Sequence, residues 1–257
     1  MKFNLKKLLF FAPLMTLMFC FNSPQNDEEK MQTIMISVKN TLSYLHYSPK
    51  PINDAYSADV FDKYLEMMDP AKKFLLQSDV DEFSKYKTKL DDCLNKGDLS
   101  FFNLTVDRLS ARTKEVEKLS QDILSKPINF DEKEELILEP KLKSYPKNQE
   151  ELRAEWKKFI KYNILQEIET LNAKEETQKE KKDSVTRFKL KDTIKLQILS
   201  PQEKQIRATE EVKDLLTSMF KRYDKRKKMD WFSVYMNAYT EVFDPHTNYF
   251  SPQDKED

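Results

Sequence analysis

The chain has 257 residues, 39% hydrophobic and 34% charged, with 44 basic against 44 acidic side chains. That length allows one large domain or two small ones, and zero net charge argues against a general nucleic-acid binder, which would be basic overall. The single glycine, Gly97, excludes more: phosphate-cradling loops, nucleotide-binding turns and tight hairpins rely on glycine to reach φ > 0, and oxyanion-hole turns tend to need it as well.

Composition therefore predicts an all-α protein, an irregular multi-helix domain following an N-terminal signal segment. Residues 1–23 have the form of a signal peptide. Lys2, Lys6 and Lys7 precede an apolar run from Leu8 to Phe21, and polar sequence follows from Asn22. The run is shorter than the roughly 20 residues of a membrane span. Leu17-Met18-Phe19-Cys20 weakly resembles a lipoprotein cleavage box, but the residue before the cysteine should be small and Phe19 is not. Membrane association would follow only if Cys20 were lipidated or the signal left uncleaved. Cys93 is then alone in the processed chain, too little for a disulfide framework or a Cys-rich metal site, and reads as a small apolar filler on a helix.

In chain order, a first helix is expected over Asp27–His46, with Met31, Ile34, Met35, Val38, Leu42 and Leu45 inward. The proline-rich turn His46–Pro51 ends it. Ser57 is expected to cap a second helix, with Val60, Phe61, Tyr64, Leu65 and Met68 inward and Asp69-Pro70 as its stop. Ser78 is expected to cap a third, with Asp81 three residues on, running through Val80, Phe83, Tyr86 and Leu90 to a C-terminal Gly97. A long helix opens at Leu99 or Ser100 and runs to about Ser125, before Pro127. Residues 128–146 read as a loop with a short helical or extended piece. The next helix follows Pro146 and Asn148, with Leu152, Trp156, Phe159, Ile160, Ile164, Ile168 and Leu171 inward.

The domain limits expected are a helical first part over 24–172, a charged insertion over 173–200, closing helices over 201–243 and a connector over 244–257. AKEETQKEKKDS at 173–184 is almost devoid of apolar residues, so it is either a solvated helix extension or a disordered insertion. Thr209 to Arg222 reads as helix, with Val212, Leu215, Leu216, Met219 and Phe220 inward, and KRYDKRKK at 221–228 as a solvated basic cluster between helices. The last helix starts near Trp231. Phe232, Tyr235, Met236, Tyr239 and Phe243 share one face, and Pro245 stops it by lacking an N–H and biasing Asp244 away from the helical conformation.

Candidate chemistry is thin. His46 and His246 lie 200 residues apart without a Cys or Glu pattern that spells a metal site. Asp244 and His246 could be written as an acid–base pair, but at a helix stop Asp, His and Thr side chains commonly bond free backbone groups. Asp244, Pro245, His246, Thr247, Asn248 and Tyr249 are therefore read as a structural junction motif, with no catalytic, cofactor-binding or metal residue assigned. His246→Ala is then expected to cost about 1–2 kcal/mol of stability.

Several stretches resemble one family. DAYSADVFDKYLEMMDPAKKFLLQSDVDEF at 54–83, PINF at 127–130, PKNQEELRAEWKKFIKYNIL at 146–165 and the closing YTEVFDPHTNYFSP are similar to the N-terminal helical region of bacterial tail-specific, or carboxyl-terminal processing, proteases. The Asp244–Tyr249 segment is the most diagnostic, and in the family it lies just upstream of a PDZ domain. Two features depart from the family pattern: the charged stretch 173–200 is longer, and the sequence stops before a PDZ domain. The resemblance implies a periplasmic serine endopeptidase acting on proteins with apolar C-termini through a serine–lysine dyad, with a PDZ domain that holds the substrate terminus. No residue here matches the catalytic serine or lysine. The resemblance leaves this chain a noncatalytic scaffold role, with its own PDZ and protease domains as partners and an adaptor lipoprotein as a further one. The competing reading is a stand-alone exported helical binding module without protease activity.

Overall fold

The computed structural model describes residues 26–187 and 198–251, with side chains for all but 184–187. Among the described residues there are eight α-helices and no strand: α1 (Asp27–Asn40), α2 (Asp54–Met68), α3 (Gln77–Phe83), α4 (Leu90–Lys96), α5 (Ser100–Leu124), α6 (Gln149–Arg187), α7 (Pro201–Lys225) and α8 (Lys228–Phe243). The predicted signal segment with Cys20, residues 188–197 and the end of the connector lie outside the described residues.

α8 is the axis. It packs along α2 and also meets α5 and α1, while α6 and α7 pair with each other and lie on α5. The α6–α7 pair is antiparallel: Trp156 meets Phe220 (ring centroids 6.0 Å apart) near one end, and Lys204 Nζ bonds Glu175 Oε2 at 2.7 Å near the other. The five predicted inward residues of α8 all have no exposed surface. Tyr235 stands at their centre against Tyr64, Phe102 and Tyr239, at centroid distances of 5.0, 5.4 and 5.1 Å. Two buried tyrosine hydroxyls on this seam are matched to acceptors, as the apolar interior requires: Tyr239 donates to the Leu90 carbonyl at 3.0 Å, and Tyr56 donates to the Tyr239 carbonyl at 2.7 Å.

The helix caps differ from expectation in three places. α2 starts at Asp54 behind Asn53, whose side chain accepts from the Tyr56 N–H at 3.1 Å; Ser57 is inside the helix, buried, with its hydroxyl on Asp91 at 2.6 Å. α3 starts behind Leu76, and the acid that reaches back is Asp79, which accepts from the Leu76 N–H at 2.9 Å. Ser78 and Asp81 do not cap it, and the predicted continuous helix from Ser78 to Gly97 is broken by a 3₁₀ turn over Ser84–Tyr86. α7 starts at Pro201, eight residues before Thr209, because Ser200 and Glu203 form a capping box: Ser200 accepts from the Glu203 N–H and Glu203 from the Ser200 N–H.

Two inward assignments also fail. Leu215 is half exposed, since Ala208, Val212, Leu216 and Phe220, four residues apart, carry the buried stripe. Leu45 is 79% exposed because α1 widens into a π-helical turn at Thr41–Leu45, closed by the His46 N–H on the Thr41 carbonyl at 3.0 Å, and this shifts the helical phase. Gly97 does end α4, with φ of +66°, and an added Cβ there would come within 3.3 Å of the Gln32 carbonyl oxygen. Beyond residue 172 the chain stays helical to Arg187, a solvated extension of α6. Residues 128–146 form the expected loop with one 3₁₀ turn at Pro140–Leu142. Cys93 is buried on α4, and burial pushes its thiol up to about 11.

Candidate functional site

The residues with the richest polar geometry lie where α8 stops. The Asp244 N–H still closes the last helical turn on the Thr240 carbonyl at 2.9 Å, and Pro245 has no N–H to continue it. Asp244 then turns the chain. Its Oδ1 accepts from the His246 N–H at 2.8 Å, and its carbonyl accepts from the Thr247 N–H at 2.9 Å. The carbonyl of Phe243, free at the helix end, accepts from Lys50 Nζ at 2.6 Å.

The other carboxylate oxygen faces the end of α1. Tyr47 donates its hydroxyl to Asp244 Oδ2 at 3.1 Å, and His46 Nε2 stands 3.5 Å from the same oxygen. Thr247 Oγ1 is 3.4 Å from His46 Nε2, and the imidazole packs edge-on against Phe243 at 5.0 Å. The His246 N–H holds the Asp244 carboxyl below the usual carboxylate range against the opposing effect of burial, and the Tyr47 hydroxyl and the two histidines add to it. The same bond to Asp244 raises the Tyr47 phenol.

Further along, the connector is laid back against α8. Asn237 accepts from the Tyr249 N–H at 2.7 Å and donates to the Tyr249 carbonyl at 3.1 Å, so one amide side chain meets both backbone groups of that residue. The Tyr249 ring lies edge-on to Phe232 at 6.4 Å, Ser251 is buried and Phe250 is 65% exposed.

This arrangement suits fastening better than chemistry. In a relay triad the acid binds one imidazole nitrogen and the nucleophile the other. Here Asp244 and Thr247 both approach Nε2, while Nδ1 lies 3.2 Å from the Ser48 backbone N. Asp244 meets the backbone of His246, whose side chain is exposed, as are Pro245 and Asn248. Among the described residues no group of three or more His, Cys, Asp or Glu is placed to hold a metal ion, and no helix is long and apolar enough to cross a membrane.

Sequence reasoning assigned the motif to a helix stop but missed its partners. His46, Tyr47 and Lys50 lie about 200 residues away, and Asn237 reads as an ordinary polar position on α8; no local signal in the sequence links them to Asp244. Asp244→Ala is therefore expected to lower the melting temperature at neutral pH. Because its folded pKa is depressed, this contribution is present above the unfolded value near pH ~3.9 and is lost as pH falls through the folded one. The gap in melting temperature between wild type and Asp244→Ala should close in acid. His246→Ala, with its ring in solvent, is now expected to change stability by no more than about 0.5 kcal/mol, less than the sequence suggested.

The model of the family described as "Tail specific protease N-terminal domain" matches residues 38–253, a span that includes the whole junction. A tail-specific protease from Haemophilus influenzae (strain ATCC 51907 / DSM 11121 / KW20 / Rd) is 27% identical over 229 residues, covering 89% of this chain and 28% of that relative. The chain thus spans less than a third of the length of that relative.

Proposed function

Because the chain belongs to the family of tail-specific protease N-terminal domains, we propose that it is the noncatalytic scaffold of a periplasmic serine endopeptidase that degrades or trims proteins from their C-termini. The observation that carries this reading is the junction. Asp244 is bonded at once to the backbone ahead of it and to Tyr47 at the end of α1, so the chain leaves the helical domain in one fixed direction. A scaffold must hold the neighbouring domain at a set orientation, and such an exit does so.

On this reading a PDZ domain and a serine–lysine catalytic core lie beyond residue 257. The PDZ domain takes apolar C-termini by adding them as a strand at a sheet edge, and lysine serves as base for the serine, which forms the acyl-enzyme. Residues 1–23 export the chain to the periplasm, and an adaptor lipoprotein is a further partner.

The test is cleavage of an unfolded protein with an apolar C-terminus, by residues 24–257 and by the same polypeptide continued through the next codons of its gene. Cleavage by the longer product alone is expected. Cleavage by residues 24–257, or by neither, overturns the reading.

A further inference from the structure

Three large side chains in four residues stand in solvent at the end of α1: Tyr44, Leu45 and Tyr47 are 75%, 79% and 86% exposed. The π-helical turn takes Leu45 off the buried phase set by Met31, Met35 and Leu42 and so adds it to the outward-facing Tyr44 and Tyr47. Turns of this kind recur at functional sites, and apolar residues grouped this closely need an account that scattered ones do not.

The patch is also fastened to the way out of the domain. Tyr47 bonds Asp244, and its neighbour His46 touches both Asp244 and Thr247. The connector therefore starts beside Tyr47, before Tyr249 returns to Asn237 on α8.

The size of the patch decides what covers it. An aromatic side chain buries roughly 150–250 Å² and a leucine less, so two tyrosines and a leucine supply about 500 Å², short of the roughly 800 Å² per partner that a separate protein needs for a stable interface. A domain tethered through the connector is held at an effective concentration of about millimolar, and a small contact then suffices. The matched family is an N-terminal domain, and the chain covers 28% of its Haemophilus relative, so most of that polypeptide lies beyond the matched region.

We infer that Tyr44, Leu45 and Tyr47 form the seat for the next folded domain of the same polypeptide, which the connector tethers within reach of it. This rests on the scaffold reading above and adds to it the surface that makes the contact.

The test is maleimide labelling of Leu45→Cys in the polypeptide continued through its next codons, against Lys118→Cys at an exposed position on α5. Leu45→Cys is expected to react at least about tenfold more slowly, as a site open only part of the time does, and equally so on dilution. Labelling within about twofold of the control overturns the seat, as does a stop codon directly after residue 257. Protection that vanishes on dilution also overturns it, since the occupant is then a second copy. The cleavage assay on the unsubstituted polypeptide separates the two ideas: an active enzyme with a freely labelled Leu45→Cys leaves the scaffold reading standing without the seat, and an inactive protein with protected Leu45→Cys does the reverse.

Discussion

Replacing Asp79 with alanine is expected to cost about 3 kcal/mol, a large share of the roughly 5–15 kcal/mol that holds a domain folded. The Asp79 side chain has no exposed surface and joins α3 to α5. Its carboxylate accepts from the Leu76 N–H at 2.9 Å, from Arg108 Nη1 at 2.5 Å, and from Arg112 Nε and Nη2 at 2.8 and 3.0 Å. Removing the acid leaves two guanidinium groups facing each other with no anion between them. Glu82 and Glu115 keep one partner for each arginine, and the arginines are 29% and 15% exposed. Both can turn toward water, which places the loss at the low end of the ~3–5 kcal/mol range for breaking a buried pair.

The pH dependence comes from the same geometry. Burial alone would raise the Asp79 pKa, but Arg112, the Leu76 N–H and Arg108 outweigh it and leave the carboxyl below its ordinary value. A depressed folded pKa gives stability that is complete above the unfolded value near pH ~3.9 and fades as pH falls through the folded one. Urea unfolding of wild type and Asp79→Ala should therefore differ most at neutral pH and converge in acid. A neutral-pH loss below about 1 kcal/mol would mean that the arginines are as well satisfied without it.

Phe232→Ala is expected to cost about 3–5 kcal/mol, the usual cost of truncating a fully buried aromatic ring. Phe232 has no exposed surface and lies edge-on to Phe102 at 5.5 Å on one side and to Tyr249 on the other. Its loss opens a cavity between α5 and α8 and also removes the ring that Tyr249 rests on. Two readouts should move together: a lower urea midpoint, and faster proteolysis at Tyr249 and Phe250 under conditions where the helices stay folded. If stability falls but cleavage at the connector does not rise, Tyr249 is held without the Phe232 ring, and that ring contact contributes nothing to the exit.

How much of this was legible from the residues depends on the distance over which each feature is decided. α8 could be read almost completely, since five aromatic or methionine positions at helical spacing have one buried solution and Pro245 ends the run. Gly97 was equally plain, because only a left-handed cap needs a lone glycine there. The start of α3 was not. Ser78-Asp79-Val80-Asp81 offers two acids, and the choice of Asp79 is made by Arg108 and Arg112, some thirty residues on. Ser57 had the right chemistry for a cap, but Asp91 drew its hydroxyl inward. Leu45 fitted the stripe of α1 until a π turn changed the count.

Helical periodicity, proline stops and the scarcity of glycine act within a few residues, so the residues alone specify an all-helical domain that runs into an aromatic connector. The anchorage of that connector is settled by packing instead. Asp244 meets Tyr47, His46 and Thr247, and Phe243 meets Lys50, because α1 and α8 pack side by side and bring together two helix ends that the chain separates by about 200 residues. Polar groups left open at those ends had to find partners, and the packing of the two helices placed those partners within reach.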